Sequence, residues 1–77
     1  MSANSITTVL DAIAYEWLST NYPQLVKAID TELDRGSAPG DVRFVVQQHS
    51  GADHDELALR CEQAARHLLT LRIQATA

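Results

Sequence analysis

Apolar and polar residues alternate with the period of an α-helix in four segments of the chain. In the first segment, apolar residues recur three and four positions apart, which places them on one side of a helix. They are Ile6, Val9, Leu10, Ile13 and Trp17. We expect this side to face the core, with Trp17 as its anchor. Asn4 or Ser5 can cap the start, so the predicted helix covers roughly 5–21.

A proline and a glycine bracket the second segment, which covers roughly 23–35. Pro23 suits the first turn of a helix, because its missing N–H would have no partner there. Gly36 favours termination in the left-handed conformation. The apolar positions between them share one helix side, which we expect to be buried. They are Leu25, Val26, Ile29 and Leu33.

The third segment, roughly 38–49, contains the sequence VRFVV, which also suits a β-strand. A helix is predicted because the chain holds no second strand-like run for it to pair with. Ser37 is the expected cap, and Pro39 falls in the first turn. Phe44 lies about 160–200° away from the apolar face, so its side chain is expected to be exposed. The apolar face itself consists of Val42, Val45, Val46 and His49.

The fourth segment, roughly 53–73, has the longest helical pattern. Its apolar residues recur at alternating spacings of four and three, as in a heptad repeat. This seam consists of Leu57, Cys61, Ala64, Leu68 and Leu71, and it is widened by Ala58, Ala65 and Leu69. Asp53 is the expected N-cap, and Glu56 three positions later completes a variant of the capping box.

The four segments predict an all-α protein: a compact bundle of about four short helices in one domain, 1–77. A chain of 77 residues buries only about 60–65% of the surface that its unfolded form exposes. The N-terminal sequence lacks the basic and apolar regions of a secretory signal. No apolar run approaches the ~20 residues that cross a bilayer. We therefore expect a cytoplasmic protein without membrane contacts.

The run HSGADHDELALRCE, residues 49–62, collects histidines, carboxylates and the single cysteine. His54 and Cys61 would lie about 10 Å apart along a straight helix, too far apart to share a zinc ion. Cys61 lies within the apolar seam, where a thiol behaves as a small hydrophobe, and His67 falls on the polar, solvated side. No motif of a hydrolase, a metalloprotease or a phosphate-binding loop is present. We predict no catalytic residue, no metal site and no cofactor.

Charge is distributed unevenly along the chain, whose formal net charge is −4. Residues 1–34 hold five acidic residues and one basic residue, whereas acids and bases cancel in residues 35–77. The five acids are Asp11, Glu16, Asp30, Glu32 and Asp34. An acidic surface repels nucleic acid and attracts a basic partner. We therefore predict that these acids form a face that binds another protein.

Several large apolar residues are not used by the predicted core. They are Tyr15, Tyr22, Phe44 and Leu59. Aromatic residues are favoured at the centres of protein interfaces, so these residues define a second candidate partner-binding surface. The heptad-like seam of the last helix can also pair with a second copy of the chain, and both a monomer and a homodimer fit the sequence.

Two functions fit these features best. The first is a small acidic, non-catalytic inhibitor or accessory factor, of the kind that phages and other mobile elements encode, which occludes a basic nucleic-acid-binding surface of a larger protein. The alternative is a helical adaptor domain that recruits an effector through helix–helix contacts. A less favoured alternative is a helix-turn-helix DNA-binding regulator, with Arg43, Gln47 and Gln48 on its reading helix. The few cations around that helix argue against direct binding of nucleic acid.

Overall fold

The computed structural model describes residues 2–50 and 55–76, with the side chains of residues 6–43, 45–48 and 56–75. Within these residues the chain forms four α-helices, a short 3-10 helix and no strand. The α-helices are α1 (Ser2–Asn21), α2 (Pro23–Asp34), α3 (Arg43–Ser50) and α4 (Asp55–Thr76), and the 3-10 helix Pro39–Val42 leads into α3. The predicted all-α bundle is confirmed. No described helix has both the length and the apolar character that crossing a membrane requires.

Helices α1 and α2 are separated by a single residue, Tyr22. Its N–H donates to the carbonyl of Leu18 at 2.7 Å, and its own carbonyl accepts from the N–H of Leu25 at 3.0 Å. Pro23 occupies the first turn of α2, as predicted. At the other end, α1 begins at Ser2, so the predicted start at Asn4 or Ser5 is wrong.

Helix α2 ends in a Schellman motif around Gly36. The N–H of Ser37 donates to the carbonyl of Glu32 at 3.1 Å, and the N–H of Gly36 donates to that of Leu33 at 3.0 Å. Gly36 has a φ of 93°, so its predicted left-handed conformation is confirmed. The prediction that Ser37 caps the third helix is wrong, because Ala38 occupies the N-cap position. The Ser37 hydroxyl donates to Glu32 Oε1 at 3.2 Å instead.

The VRFVV segment is helical, as predicted, and all three of its valines are buried. Ala38 precedes it in an extended conformation. The N–H of Ala38 donates to Asp41 Oδ2 at 3.2 Å, and the N–H of Asp41 donates back to the carbonyl of Ala38 at 2.9 Å. These bonds fix the first turn around Pro39. The side chains of Phe44 and His49, like the predicted cap Asp53, lie outside the described residues.

The core lies where α2, the valines of α3 and the seam of α4 meet. Helix α4 packs against every other described element. Its buried side chains are small, so the helices can approach closely while the interior stays filled. They are Ala58, Cys61, Ala64 and Ala65. Leu57, Leu68 and Leu69 pack partly buried against this cluster. Leu71, predicted to belong to the seam, is 41% exposed because it lies near the end of α4.

The predicted buried side of α1 is wrong. Its five apolar residues are between 36% and 63% exposed, and Trp17 is not the core anchor. Asp11, Ala14 and Leu18 are buried instead, and Leu18 is completely buried. At about 100° per residue, the apolar positions of α1 cover about half of its circumference, more than this small bundle can cover. The sector that meets the core lies about a third of a turn from the predicted one.

Gly36 and Gly40 offer a matched test of the turn between α2 and α3. Gly36→Ala should lower the free energy of unfolding by about 1 kcal/mol, because a Cβ is disfavoured at φ 93°. The nearest atom to a Cβ at Gly40, a carboxylate oxygen of Glu62, is 3.9 Å away, which is an ordinary contact. Gly40→Ala should therefore be neutral or stabilise by about 0.5 kcal/mol. Urea unfolding of the two variants measures both effects, and equal losses would contradict the left-handed turn at Gly36.

Candidate functional site

The largest exposed apolar feature of the described chain runs along α1. We define the α1 face as Ile6, Val9, Leu10, Ile13, Trp17 and Tyr22, which are each 36% to 63% exposed. From end to end it spans about 24 Å, at 1.5 Å per residue. Together these side chains present on the order of 600 Å² of apolar surface, which is the upper end for the largest patch on a monomeric protein. Patches of this size mark interaction sites.

Trp17 is held at the aromatic end of the α1 face by contacts with its neighbours. Its ring centroid lies 5.6 Å from that of Tyr22, with the ring planes 45° apart. The guanidinium of Arg60 lies 4.2 Å from the Trp17 ring centroid, a cation–π distance. Arg60 also donates to Glu56 Oε1 at 3.0 Å. These contacts hold the indole against α4 and leave 36% of Trp17 exposed.

Two shallow depressions lie between α1 and α4 beside this face. One, of about 300 Å³, is lined by Trp17, Tyr22, Glu56, Leu57 and Arg60. The other, of about 190 Å³, is lined by Leu10, Ile13, Ala14, Trp17, Arg60 and Gln63. Both depressions are lined by Trp17 and Arg60, and we refer to the two together as the groove. Its α1 wall is apolar and its α4 rim is largely polar, as in the core and rim of a protein interface.

Asp11, predicted as part of an acidic binding face, is not a surface residue. It is 6% exposed, and Arg66 of α4 holds its carboxylate through two hydrogen bonds. Arg66 Nε donates to Oδ2 and Nη2 donates to Oδ1, both at 3.1 Å. This bidentate pair neutralises the buried charge. Prediction from net charge alone did not detect the partner, which lies 55 positions away in the sequence.

The other predicted acidic residues are distributed over two helices. Asp30 and Asp34 of α2 both pair with Arg72 of α4, and Arg72 Nη1 lies 2.9 Å from Asp34 Oδ1. Glu32 pairs with Arg35 at 3.1 Å, and Glu16 is exposed on α1. Asp30 and Asp34 therefore share a single arginine, so their charge is only partly offset within the chain. That these acids bind a partner stays a prediction.

The predicted exposed apolar residues fall in different places. Tyr22 and Leu59 are 41% and 54% exposed, as predicted. Leu59, however, lies on α4 in a separate depression with Arg43 and Glu62, away from the α1 face.

The prediction that Tyr15 is exposed is wrong. Tyr15 is partly buried and packs against the core, with its ring centroid 5.1 Å from that of His67. His67, predicted to be solvated, is only partly exposed, and its Nδ1 is buried without a hydrogen-bond partner. The side chain of Phe44 lies outside the described residues.

Most cationic side chains of the protein are engaged in internal ion pairs. Four of the six cations pair with carboxylates of the same chain: Arg35, Arg60, Arg66 and Arg72. A phosphate backbone would have to compete with these pairs for the positive charge. Arg43, Gln47 and Gln48 are exposed on α3, but positioning on DNA requires several cations around the reading helix. That the chain does not bind nucleic acid directly stays a prediction.

Cys61 is completely buried in the seam of α4, as predicted. Burial raises the pKa of its thiol to about 11. The thiol is therefore protonated and inaccessible at neutral pH, the opposite of what a nucleophile or metal ligand requires. Among the residues that the structure describes, no three His, Cys, Asp or Glu side chains are grouped to hold a metal ion. His54 lies outside those residues.

Comparison with protein-family models, curated proteins and solved structures found no match for this chain. The candidate site therefore depends on the physical features of the α1 face. The sequence pattern identifies all six residues of the α1 face: it assigns five of them to the core, wrongly, and it assigns Tyr22 to the exposed surface, correctly. Arg60 was not singled out, because nothing local links it to Trp17: their contact requires the antiparallel register of α1 and α4. One signal in the sequence does indicate the buried side of α1: Ala14 and Leu18 form a second apolar sector of this helix, next to the α1 face.

Arg66 and Arg72 offer a test of the buried ion pair, because both join α4 to acids of an earlier helix. Arg66→Met should lower the free energy of unfolding by about 2 kcal/mol, since it leaves the buried carboxylate of Asp11 unpaired. This value is below that of a fully buried pair because Arg66 is itself partly exposed. Arg72→Met removes a pair with exposed acids and should cost less. Urea unfolding measures both, and the reverse order would contradict the structural role of Asp11.

The raised pKa of Cys61 predicts that stability falls at high pH. Below pH 9, folded and unfolded chains both keep the thiol proton. Between pH 9 and about 11 the unfolded chain loses it while the folded chain retains it. The free energy of unfolding should therefore decrease over this interval, by up to about 3 kcal/mol. Other groups also titrate here, so the control is Cys61→Ala, in which this part of the decrease should disappear. Identical pH profiles would show that the thiol is not held protonated by burial.

Proposed function

We propose that this protein is a non-catalytic interaction module, an adaptor that binds another protein through helix–helix contacts at the α1 face. The observation that carries this proposal is the exposure of a contiguous apolar strip on a helix whose neighbouring sector, about a third of a turn away, already packs against the core. An apolar patch on the order of 600 Å² is at the upper end for monomeric proteins, and the largest patch of a monomer is often functional. The single cysteine also fits the reducing environment of the cytosol, where we propose that the protein is located.

The shape of the groove favours a helix as the bound element. Residue numbers increase along α1 as they decrease along α4 in the contacts Asp11–Arg66 and Trp17–Arg60, so the two helices are antiparallel. A third helix laid along them would meet apolar side chains one turn apart, the pattern used in helix-in-groove recognition. Trp17, Tyr22 and Arg60 are also the residue types that contribute most to binding at interface centres.

The acidic inhibitor is the second candidate function. It is favoured by the net charge of −4 and by the exposure of Glu16, Asp30 and Asp34. The pairing of Asp30 and Asp34 with Arg72 weakens the field that would attract a basic surface. The two candidates differ in their response to salt, because screening reduces electrostatic attraction but not apolar contact.

A comparison of matched variants tests the adaptor proposal. The immobilised full-length protein, Ile13→Glu and Leu59→Glu would be compared for the host proteins they retain, at low and at high salt. Ile13 and Leu59 are 57% and 54% exposed on different helices, so both variants add one charge to an exposed site. Ile13→Glu should lower the affinity for a true partner at least about tenfold. Leu59→Glu should leave that affinity unchanged, and the partner should stay bound at high salt.

Two other results would overturn the adaptor proposal. Binding that is lost at high salt and in the double variant Asp30→Lys, Asp34→Lys, but not in Ile13→Glu, would assign the function to the acidic inhibitor. Binding that none of these substitutions affects would show that neither surface is used. Circular dichroism of each variant confirms that α-helix content is unchanged before binding is compared.

A further inference from the structure

We infer that the α1 face is occupied by the α1 face of a second copy of this chain, in a two-fold symmetric dimer with antiparallel α1 helices. This inference rests on the proposed function, because it names the helix that binds to the same face. It differs from a dimer through the seam of α4, whose central residues Cys61, Ala64 and Ala65 are completely buried within one copy.

The spacing along the α1 face is complementary to itself. Ile6, Leu10, Ile13 and Trp17 are separated by four, three and four positions, and this order is the same in both chain directions. In an antiparallel pair, Leu10 therefore lies opposite Ile13 of the second copy, and Ile6 lies opposite Trp17 of the second copy. A two-fold interface requires such a patch, because both copies contribute the same surface. Mixed layers of this kind fill a seam of spacing four and three.

Charge on the α1 face does not oppose self-association, although the chain carries a net charge of −4. Among the described residues, Glu16 is the only exposed charged side chain of α1. In the antiparallel arrangement the two copies of Glu16 lie about 13 Å apart along the helix axis, beyond the screening length of about 8 Å at physiological salt. Arg60 on the groove rim is paired with Glu56. The strip is therefore effectively neutral.

The area of the α1 face also matches a self-contact. The molecule exposes 5077 Å², so an apolar strip on the order of 600 Å² is about a tenth of its surface, the share that a small protein contributes to a specific interface. With the whole strip covered, two copies would bury about 1,200 Å² in total, the lower limit for a specific complex. A chain this short gains by sharing apolar surface, because its own core is small.

Sedimentation equilibrium of the full chain tests this inference. We expect a monomer–dimer equilibrium with a dissociation constant in the micromolar range. Leu10→Glu should weaken it at least about 100-fold, since it places two unpaired charges in the contact. Leu59→Glu is the control: Leu59 is 54% exposed, close to the 49% of Leu10, but it lies outside the α1 face. The dissociation constant of the Leu59→Glu dimer should equal that of the wild type.

Cysteine pairs test the antiparallel arrangement. Under mild oxidation, a mixture of Leu10→Cys and Ile13→Cys proteins should form mixed disulfides faster than either variant cross-links with itself. Cys61 does not compete, because it is buried. Preferential self-cross-linking of each variant would indicate parallel helices and would overturn the inferred geometry.

The outcomes separate this inference from the proposed function. A wild-type chain that is monomeric at all concentrations up to about 1 mM overturns the dimer, as does a dimer that Leu59→Glu disrupts and Leu10→Glu does not. If the monomeric chain still captures a host protein that Ile13→Glu fails to capture, the adaptor proposal stands. The α1 face is then occupied by that protein and not by a second copy of the chain. If the dimer forms as expected but captures no further protein, the α1 face serves self-association alone.

Discussion

The ion pair between Asp11 and Arg66 determines which side of α1 faces the core. A carboxylate that is only 6% exposed is tolerable there because two charge-assisted hydrogen bonds satisfy it. The hydrogen bond that Arg66 donates to Asp11 also contributes most to raising the pKa of the Arg66 guanidinium. Arg66 is further held by Glu62 at 3.0 Å, so its side chain is fixed from two directions. Any rotation of α1 that buried Trp17 or Ile13 more deeply would pull Asp11 away from this site.

The exposure of the α1 face follows from that constraint. With Asp11 turned inwards, Ala14 and Leu18 are the apolar residues of α1 that reach the core. The larger side chains of the same helix are displaced towards solvent. The buried side chains of α4 are three alanines and one cysteine, so α1 packs close to α4 and little space is left between the two helices for a tryptophan. The apolar strip is thus a property of how the bundle packs.

The sequence predicts most of the fold for reasons that can be traced to particular residues. Pro23 and Gly36 act locally, through their restricted and permissive backbones, so they mark the limits of α2 reliably. The valines of α3 and the seam of α4 each form a single apolar side, which leaves one way to bury them. Helix α1 differs, because its apolar residues cover about half of its circumference. Which part is buried depends on a partner for Asp11, and that partner lies in the last helix.

The sequence pattern does not show which side of α1 is buried, so it identifies the residues of the α1 face but assigns most of them to the core. Periodicity identifies that Leu10, Ile13 and Trp17 lie on one side of a helix, but it does not say whether the core or a second protein covers that side. Charge counting has a similar limit: it registers five acids in the first part of the chain, although four of them are paired with arginines of the same chain. Since those pairs lie within the monomer, salt acts mainly on folding stability. A contact made by the neutral α1 face depends instead on apolar area and shape, so it is expected to persist when ionic strength rises.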